Sequence, residues 1–127
     1  MTPARVMIVE DEAITAMATR AMLKRMGHEV MAAVASGEAA LEAFRLERPD
    51  LVLMDIRLDG DLDGIETASL LRRDAECPVP VVFVSAFVDE QTRRRAAATK
   101  PFAFIPKPLD EYDLHQLLDR LQAGTPS

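Results

Sequence analysis

An alternation constrains this chain more than anything else in it. Short apolar runs take turns with helical patterns five times. The runs are "RVMIV" (5–9), "EVMAAVA" (29–35), "LVLM" (51–54), "VVFV" (81–84) and "FAFI" (102–105). The first, third and fourth are continuously apolar, as in parallel strands covered on both faces. "EVMAAVA" is rich in small residues and suits an edge. Five strand–helix units imply a parallel sheet with right-handed crossovers and helices on both faces. The expected fold is α/β, a flavodoxin-like (βα)5 doubly wound parallel sheet of strand order 2-1-3-4-5, the order resting on analogy.

The helices carry recognisable punctuation. Residues 13–26 place Ile14, Met17, Ala18, Ala21 and Met22 on one stripe, and Gly27 stops the helix. Ser36 is the expected N-cap of a helix over 37–48 that buries Leu41 and Phe44 and ends before Pro49. Asp63 and Glu66 fit a capping box opening a helix to about Asp74. Asp89 begins a polar helix through Ala98. Asp110 caps the last one, where Leu114, Leu117, Leu118 and Leu121 show 3–4–3 spacing.

A chain of 127 residues, 49% apolar and 28% charged, fits one globular domain. Its expected extent is 1–122, with 123–127 as a flexible tail. The net charge of −6 argues against binding to nucleic acid or an anionic membrane. "VMIV" is cut short by "EDE", so it is neither a signal-peptide core nor a membrane span. The single cysteine, Cys77, allows no intrachain disulfide. A cytoplasmic location is expected.

In doubly wound sheets ligands bind at the carboxyl ends of the strands, beside the point where strand order reverses. Here the first strand ends on Glu10-Asp11, with Glu12 next, and the third on Asp55. The fourth ends on Ser85, and Lys107 closely follows the fifth. Three carboxylates, a hydroxyl and an ammonium thus converge on one rim. Carboxylates crowded together call for a cation. Mg²⁺ suits them, because it takes oxygen ligands and keeps several waters. Without a nearby histidine the site is poor for acid–base catalysis. It is well made to hold a phosphoryl group, whose transfer needs positioning and charge neutralisation.

The segments "IVEDE" (8–12), "LVLMDIRL" (51–58), "DG" (63–64), "VFVSA" (82–86) and "FIPKP" (104–108), in this order, resemble the receiver domain of two-component response regulators over essentially the whole chain. The resemblance implies that Asp55 accepts a phosphoryl group from a histidine kinase or histidine phosphotransfer protein. It implies Mg²⁺ ligation by Asp11, Asp55 and the backbone carbonyl of Arg57, with Glu10, in place of the more usual Asp, acting through a water. Ser85 matches the switch hydroxyl, Lys107 the phosphate-binding lysine and Phe104 the switch aromatic, which is to turn inward when Ser85 moves. Arg57 and Phe87 match the two positions that flank the path of a hydrolytic water. The Lys107-Pro108 bond is often cis in the family. The chain is not expected to be an enzyme beyond its own phosphorylation and slow autodephosphorylation. Its signal is expected to leave through the fourth helix, fifth strand and fifth helix, to a downstream protein or a second copy of itself.

Two departures from the family pattern stand out. "DIRLDGDLDG" lacks the usual proline and is one residue longer, so a looser loop is expected. Ala103 replaces a glycine, with Pro101-Phe102 before it, so the chain is expected to run differently into the fifth strand. Taken singly, each residue has a plainer reading. Asp55 can cap a turn, Glu10-Asp11-Glu12 can be a solvated helix start, Ser85 can cap a helix, and Lys107 can be a loop lysine. Phe104 can be core, Arg93-Arg94-Arg95 a solvated face, and His28 and His115 surface residues. Among whole-protein alternatives, a degenerate receiver acting as a phosphorylation-independent binding module is opposed by the intact Asp55, Asp11 and Lys107. A haloacid-dehalogenase phosphatase needs an acid where Arg57 stands. A flavodoxin needs a hydroxyl- and glycine-rich loop where "EDEAIT" stands.

Overall fold

The computed structural model describes residues 3–73, 78–86 and 88–124. Strands and helices alternate as β1 (Arg5–Val9), α1 (Ala13–Arg25), β2 (Glu29–Val34), α2 (Gly37–Leu46), β3 (Leu51–Met54), α3 (Gly64–Arg72), β4 (Val81–Ser85), α4 (Glu90–Ala98), β5 (Ala103–Pro106) and α5 (Glu111–Gln122). The five strands form one parallel sheet in the order β2-β1-β3-β4-β5. The expected flavodoxin-like architecture is therefore present. β2 lies at an edge, and β1, β3 and β4 lie inside.

Period-two alternation sorts the apolar strands onto two cores. On one face Val6, Ile8, Leu51, Leu53, Val82 and Val84 pack with Leu23 of α1 and Leu114, Leu117 and Leu118 of α5. On the other, Met7, Val9, Val52, Met54, Val81 and Phe83 meet Ala40 of α2, Ile65, Ala68 and Leu71 of α3, and Ala96 of α4. Leu117 is fully buried, and its truncation to Ala would cost about 2–5 kcal/mol.

The caps form as the sequence suggests. Ser36, Asp63, Asp89 and Asp110 accept hydrogen bonds from Ala39, Glu66, Thr92 and Asp113 backbone N–H groups. Asp63 and Glu66 close a reciprocal capping box. Gly27 follows α1 at φ +86°, a conformation in which a side chain is strained.

Four sequence expectations need correction. Most of the stripe assigned to α1, all but Met22, faces away from the sheet: Ile14 is 79% and Met17 69% exposed, and Ala18 and Ala21 are exposed too. Thr19 and Leu23 are buried instead, with Ala16, Met22 and Met26 beside them. Apolar and small residues are spread widely round this helix, so its sequence marks no single face, and only docking on the sheet chooses which are buried. His28 is buried, its Nδ1 accepting the Ala4 N–H at 2.9 Å, because the chain turns at Gly27 straight under the start of β1. The fifth apolar run is displaced by one residue: Phe102 donates its N–H to Val81 O (2.8 Å) just before β5 begins. The β3–α3 loop is not loose. Asp59 bridges to Ser36, and Leu62 N–H donates to Glu38 Oε1 at 3.1 Å. Cys77, Phe87, the expected end of the third helix at Asp74 and the last three tail residues lie outside the described residues.

Candidate functional site

The sheet order reverses at β1: β2 lies on one side, β3 on the other. Backbone pairing continues past both strand ends. Asp55 N–H donates to Val9 O (2.9 Å) and Glu10 N–H to Val34 O (2.9 Å). On the β4–β5 side Lys107 N–H donates to Ser85 O at 2.8 Å. These bonds bring Glu10, Asp11, Asp55, Ser85 and Lys107 to one rim, although 97 positions separate the ends of the set.

The side chains meet there. Lys107 Nζ lies 2.6 Å from Glu10 Oε1 and 3.2 Å from Asp55 Oδ2. Carboxylate oxygens of Glu10, Asp11 and Asp55 all lie within 4.8 Å of one another. Glu10 and Asp55 are buried and Asp11 is half-buried. Burial raises the pKa of Glu10, helped by its contact with Asp55 and opposed by the Lys107 hydrogen bond. Burial also raises Asp11, with the Glu10 hydrogen bond and the charge of Asp59 adding to it. For Lys107 burial works the other way, but its bonds to Glu10 and the charge of Asp55 outweigh it and hold the pKa above the ordinary value. The lysine stays charged, yet one ammonium faces three carboxylates.

That surplus of negative charge, on hard oxygen donors within one ion's reach, suits Mg²⁺. Glu10 is already engaged, accepting from Lys107 Nζ and, at 3.2 Å, from Glu12 N–H. Arg57 N–H donates to Asp55 Oδ1 at 3.3 Å, while its side chain points to solvent. Its charge reaches Asp89, whose carboxyl is held low first by the Thr92 backbone N–H, then by the Thr92 hydroxyl and Arg57.

Ser85 is buried at the end of β4, paired with Pro106. Phe104, paired with Phe83 across β4 and β5, is half-buried. Its ring centre lies 6.3 Å from that of Phe83, tilted by 48°, so it already packs against the core. The Arg93 guanidinium covers it at 4.9 Å. The three arginines of α4 are exposed, as expected of a solvated face, and each has its own partner. Arg94 pairs with Glu90 (2.9 Å), and Arg95 with Asp63 across the β3–α3 loop (3.1 Å). Asp59 and Glu38 were not singled out by the sequence, and Arg93 only as part of a basic run. Their types were plain, but nothing local told where the loop or α4 would lie. The Lys107-Pro108 bond is cis.

A cleft of about 500 Å³ opens beside the cluster, between α1 and the β5–α5 turn. Ile14, Ala18, Met22, Pro108 and Leu109 form its apolar walls, and Glu10, Asp55 and Lys107 its polar floor. Among the described residues no helix is long and apolar enough to cross a membrane.

Fold and site together define a doubly wound α/β domain with a cation-ready acidic pocket at its switch point. Residues 6–119 match the response regulator receiver domain family. The chain is 34% identical to protein PilH of Pseudomonas aeruginosa, over 95% of this chain and 99% of that one. It is 35% identical to the transcriptional regulatory protein PdtaR of Mycobacterium tuberculosis, over 88% of this chain but only 53% of that one, so it spans about half of that relative's length. The signal receiver domain of a modulated diguanylate cyclase from Desulfovibrio desulfuricans superposes with a TM-score of 0.89, at 33% identity, over 97% of this chain and 96% of the other. The chain belongs to the response regulator receiver domain family of two-component systems.

Proposed function

We propose that this domain is a phosphorylation switch whose acceptor is Asp55. A carboxylate oxygen of Asp55 attacks the phosphorus of a phosphohistidine on a kinase or phosphotransfer protein. The P–O bond forms as the P–N bond breaks, and the imidazole leaves with the electron pair. The observation that carries this reading is the set Glu10, Asp11, Asp55 and Lys107, within reach of one another at the switch point of a receiver fold.

Glu10 (through a water), Asp11, Asp55 and the Arg57 carbonyl are the residues that would hold Mg²⁺, which supplies charge neutralisation between the acids and the incoming phosphoryl oxygens. Lys107, already 3.2 Å from Asp55, ion-pairs with a phosphoryl oxygen. Ser85 donates its hydroxyl to another. The exposed Ile14 and Met17 and the apolar cleft wall offer a helical phosphodonor a surface beside the acceptor. Output leaves through α4, β5 and α5, near Arg94, Phe104 and the exposed Tyr112, toward a downstream protein or a second copy of the chain. No activity beyond self-phosphorylation and slow dephosphorylation is assigned, and the setting is cytoplasmic.

Intact-mass analysis after incubation with Mg²⁺ and a small acyl phosphate tests this. One phosphoryl adduct is expected, absent in Asp55→Ala and in EDTA. An adduct that persists in Asp55→Ala overturns the assignment. No adduct in the wild type would leave the phosphorylation-independent binding module as the better reading.

A further inference from the structure

We infer that the ion pair between Asp63 and Arg95 couples the acceptor's end of β3 to α4, as a second route, beside Ser85 and Phe104, by which a phosphoryl group on Asp55 moves the output surface. The inference rests on reading Asp55 as the acceptor and α4, β5 and α5 as that surface.

α4 is seated by polar straps more than by an apolar face. Among the described residues Ala96 is the one buried member of this helix, whereas α3 buries Gly64, Ile65, Thr67, Ala68 and Leu71. The straps run to both ends of α3. Arg95 Nη2 donates to Asp63 Oδ2 at 3.1 Å, beside the first turn of α3. Arg72, in the last turn of α3, donates to the Lys100 carbonyl just past α4. Arg93 adds its cover of Phe104. A helix with so little buried apolar surface opens and shifts at low free-energy cost. An exposed ion pair contributes little to a whole domain, but it is a large share of what holds α4.

The other end of the pair is rigid, and it is tied to the acceptor. Asp63 Oδ1 accepts the Glu66 N–H at 2.8 Å, and its own N–H donates to Glu66 Oε1 at 3.0 Å. Its carbonyl accepts from the N–H (3.0 Å) and the hydroxyl (2.8 Å) of the buried Thr67. Every polar group of Asp63 is thus committed. The next residue, Gly64, donates its N–H to Ile56 O at 2.7 Å and lies too close to the Asp55 carbonyl for any side chain. A displacement of Asp55 or Ile56 therefore reaches Asp63 through backbone, and Arg95 passes it to α4. Both members of the pair are positioning residues, since neither touches the phosphoryl group or the acceptor side chain. Their side chains are 31% and 48% exposed, so salt screens the attraction.

The test compares wild type, Asp63→Asn, Arg95→Gln, Arg95→Lys and the Asp63→Asn/Arg95→Gln double variant. Two measurements are made: amide hydrogen exchange, and NMR shifts on adding Mg²⁺ and beryllofluoride, a stand-in for the phosphoryl group. Asn still caps α3, so Asp63→Asn removes the charge alone. Each neutral variant should speed exchange of α4 amides about two- to fivefold at low salt and leave α3 amides unchanged. The difference from wild type should close at high salt. The double variant should exchange no faster than either single one. Arg95→Lys keeps the charge and should restore wild-type behaviour in part. With beryllofluoride, α4 shifts should be about twofold or more smaller in the neutral variants, while those of Ser85 and Phe104 persist. Full-size α4 shifts in the neutral variants overturn the inference, even with faster exchange, because the pair is then structural only. A wild type without any beryllofluoride shifts removes the switch reading and this inference with it.

Discussion

Gly64 lies so close to the backbone of Asp55 that a Cβ on it would fall 1.9 Å from the Asp55 carbonyl oxygen. Its N–H donates to Ile56 O at 2.7 Å, so the first residue of α3 clamps the strand end that carries the acceptor. The clash would be with backbone, which cannot rotate away. Gly64→Ala should lower stability by about 1–3 kcal/mol, read from urea unfolding, and slow adduct formation from acyl phosphate. Unchanged stability would show that the clamp gives way easily.

Lys107 competes with a cation for Glu10 and Asp55. Lys107→Met should therefore bind Mg²⁺ more tightly, while the Mg²⁺-free protein, with two buried acids left without their ammonium, becomes less stable. Added Mg²⁺ should restore part of that loss, about 2.7 kcal/mol at a hundred times its Kd. Thermal melts with and without Mg²⁺ check it. A variant whose melting is indifferent to Mg²⁺ contradicts the competition.

Arg57 sits two residues past the acceptor, exposed, and acts on Asp89 through its charge. Arg57→Ala should speed loss of the phosphoryl group by about threefold or more, by opening the in-line path for water. Adding Phe87→Ala should speed it further. Asp89→Asn should slow it, since it removes a competing negative charge that attracts the guanidinium away from the phosphoryl oxygens. Decay followed by intact mass gives all the rates; equal ones would mean that these side chains do not shield the site.

Arg93 and Phe83 both pack against the Phe104 ring. Arg93→Ala should cost about 0.5–1 kcal/mol. NMR of the Mg²⁺–beryllofluoride complex, where beryllofluoride stands in for the phosphoryl group, should show shifts from Asp55 through Ser85 to Phe104 and α5. Ser85→Ala should curtail them. Shifts confined to the metal loops would exclude this output route.

His28 accepts the Ala4 N–H through Nδ1, so its neutral form is the one the fold uses, and its Nε2 is buried without a partner among the described residues. Burial lowers its pKa from the ordinary 6.5, as does His115, with Asp119 opposing. Folded below unfolded means that this contribution is complete above about 6.5 and is lost as pH falls through that value toward the lower one. Between neutral pH and about pH 5 the melting temperature should fall more in wild type than in His28→Asn. Parallel curves would remove His28 as a cause.

The sequence alone determined the elements and their order, because strand burial, helix caps and Gly27 are written within a few residues of one another. It also determined which residues end each strand, and so the membership of the acidic rim. Tertiary structure decided what depends on neighbours distant in the chain. Which stripe of α1 is buried was such a matter: Leu23 and Thr19 win over Ile14 and Met17 only because of how the helix lies on the sheet. The burial of His28, the cover that Arg93 gives Phe104 and the course of the β3–α3 loop are others. Asp59 looks in sequence like one more loop acid. Its backbone bridges to Ser36, on a different βα unit from which Glu38 also holds the loop, and no local propensity encodes such contacts.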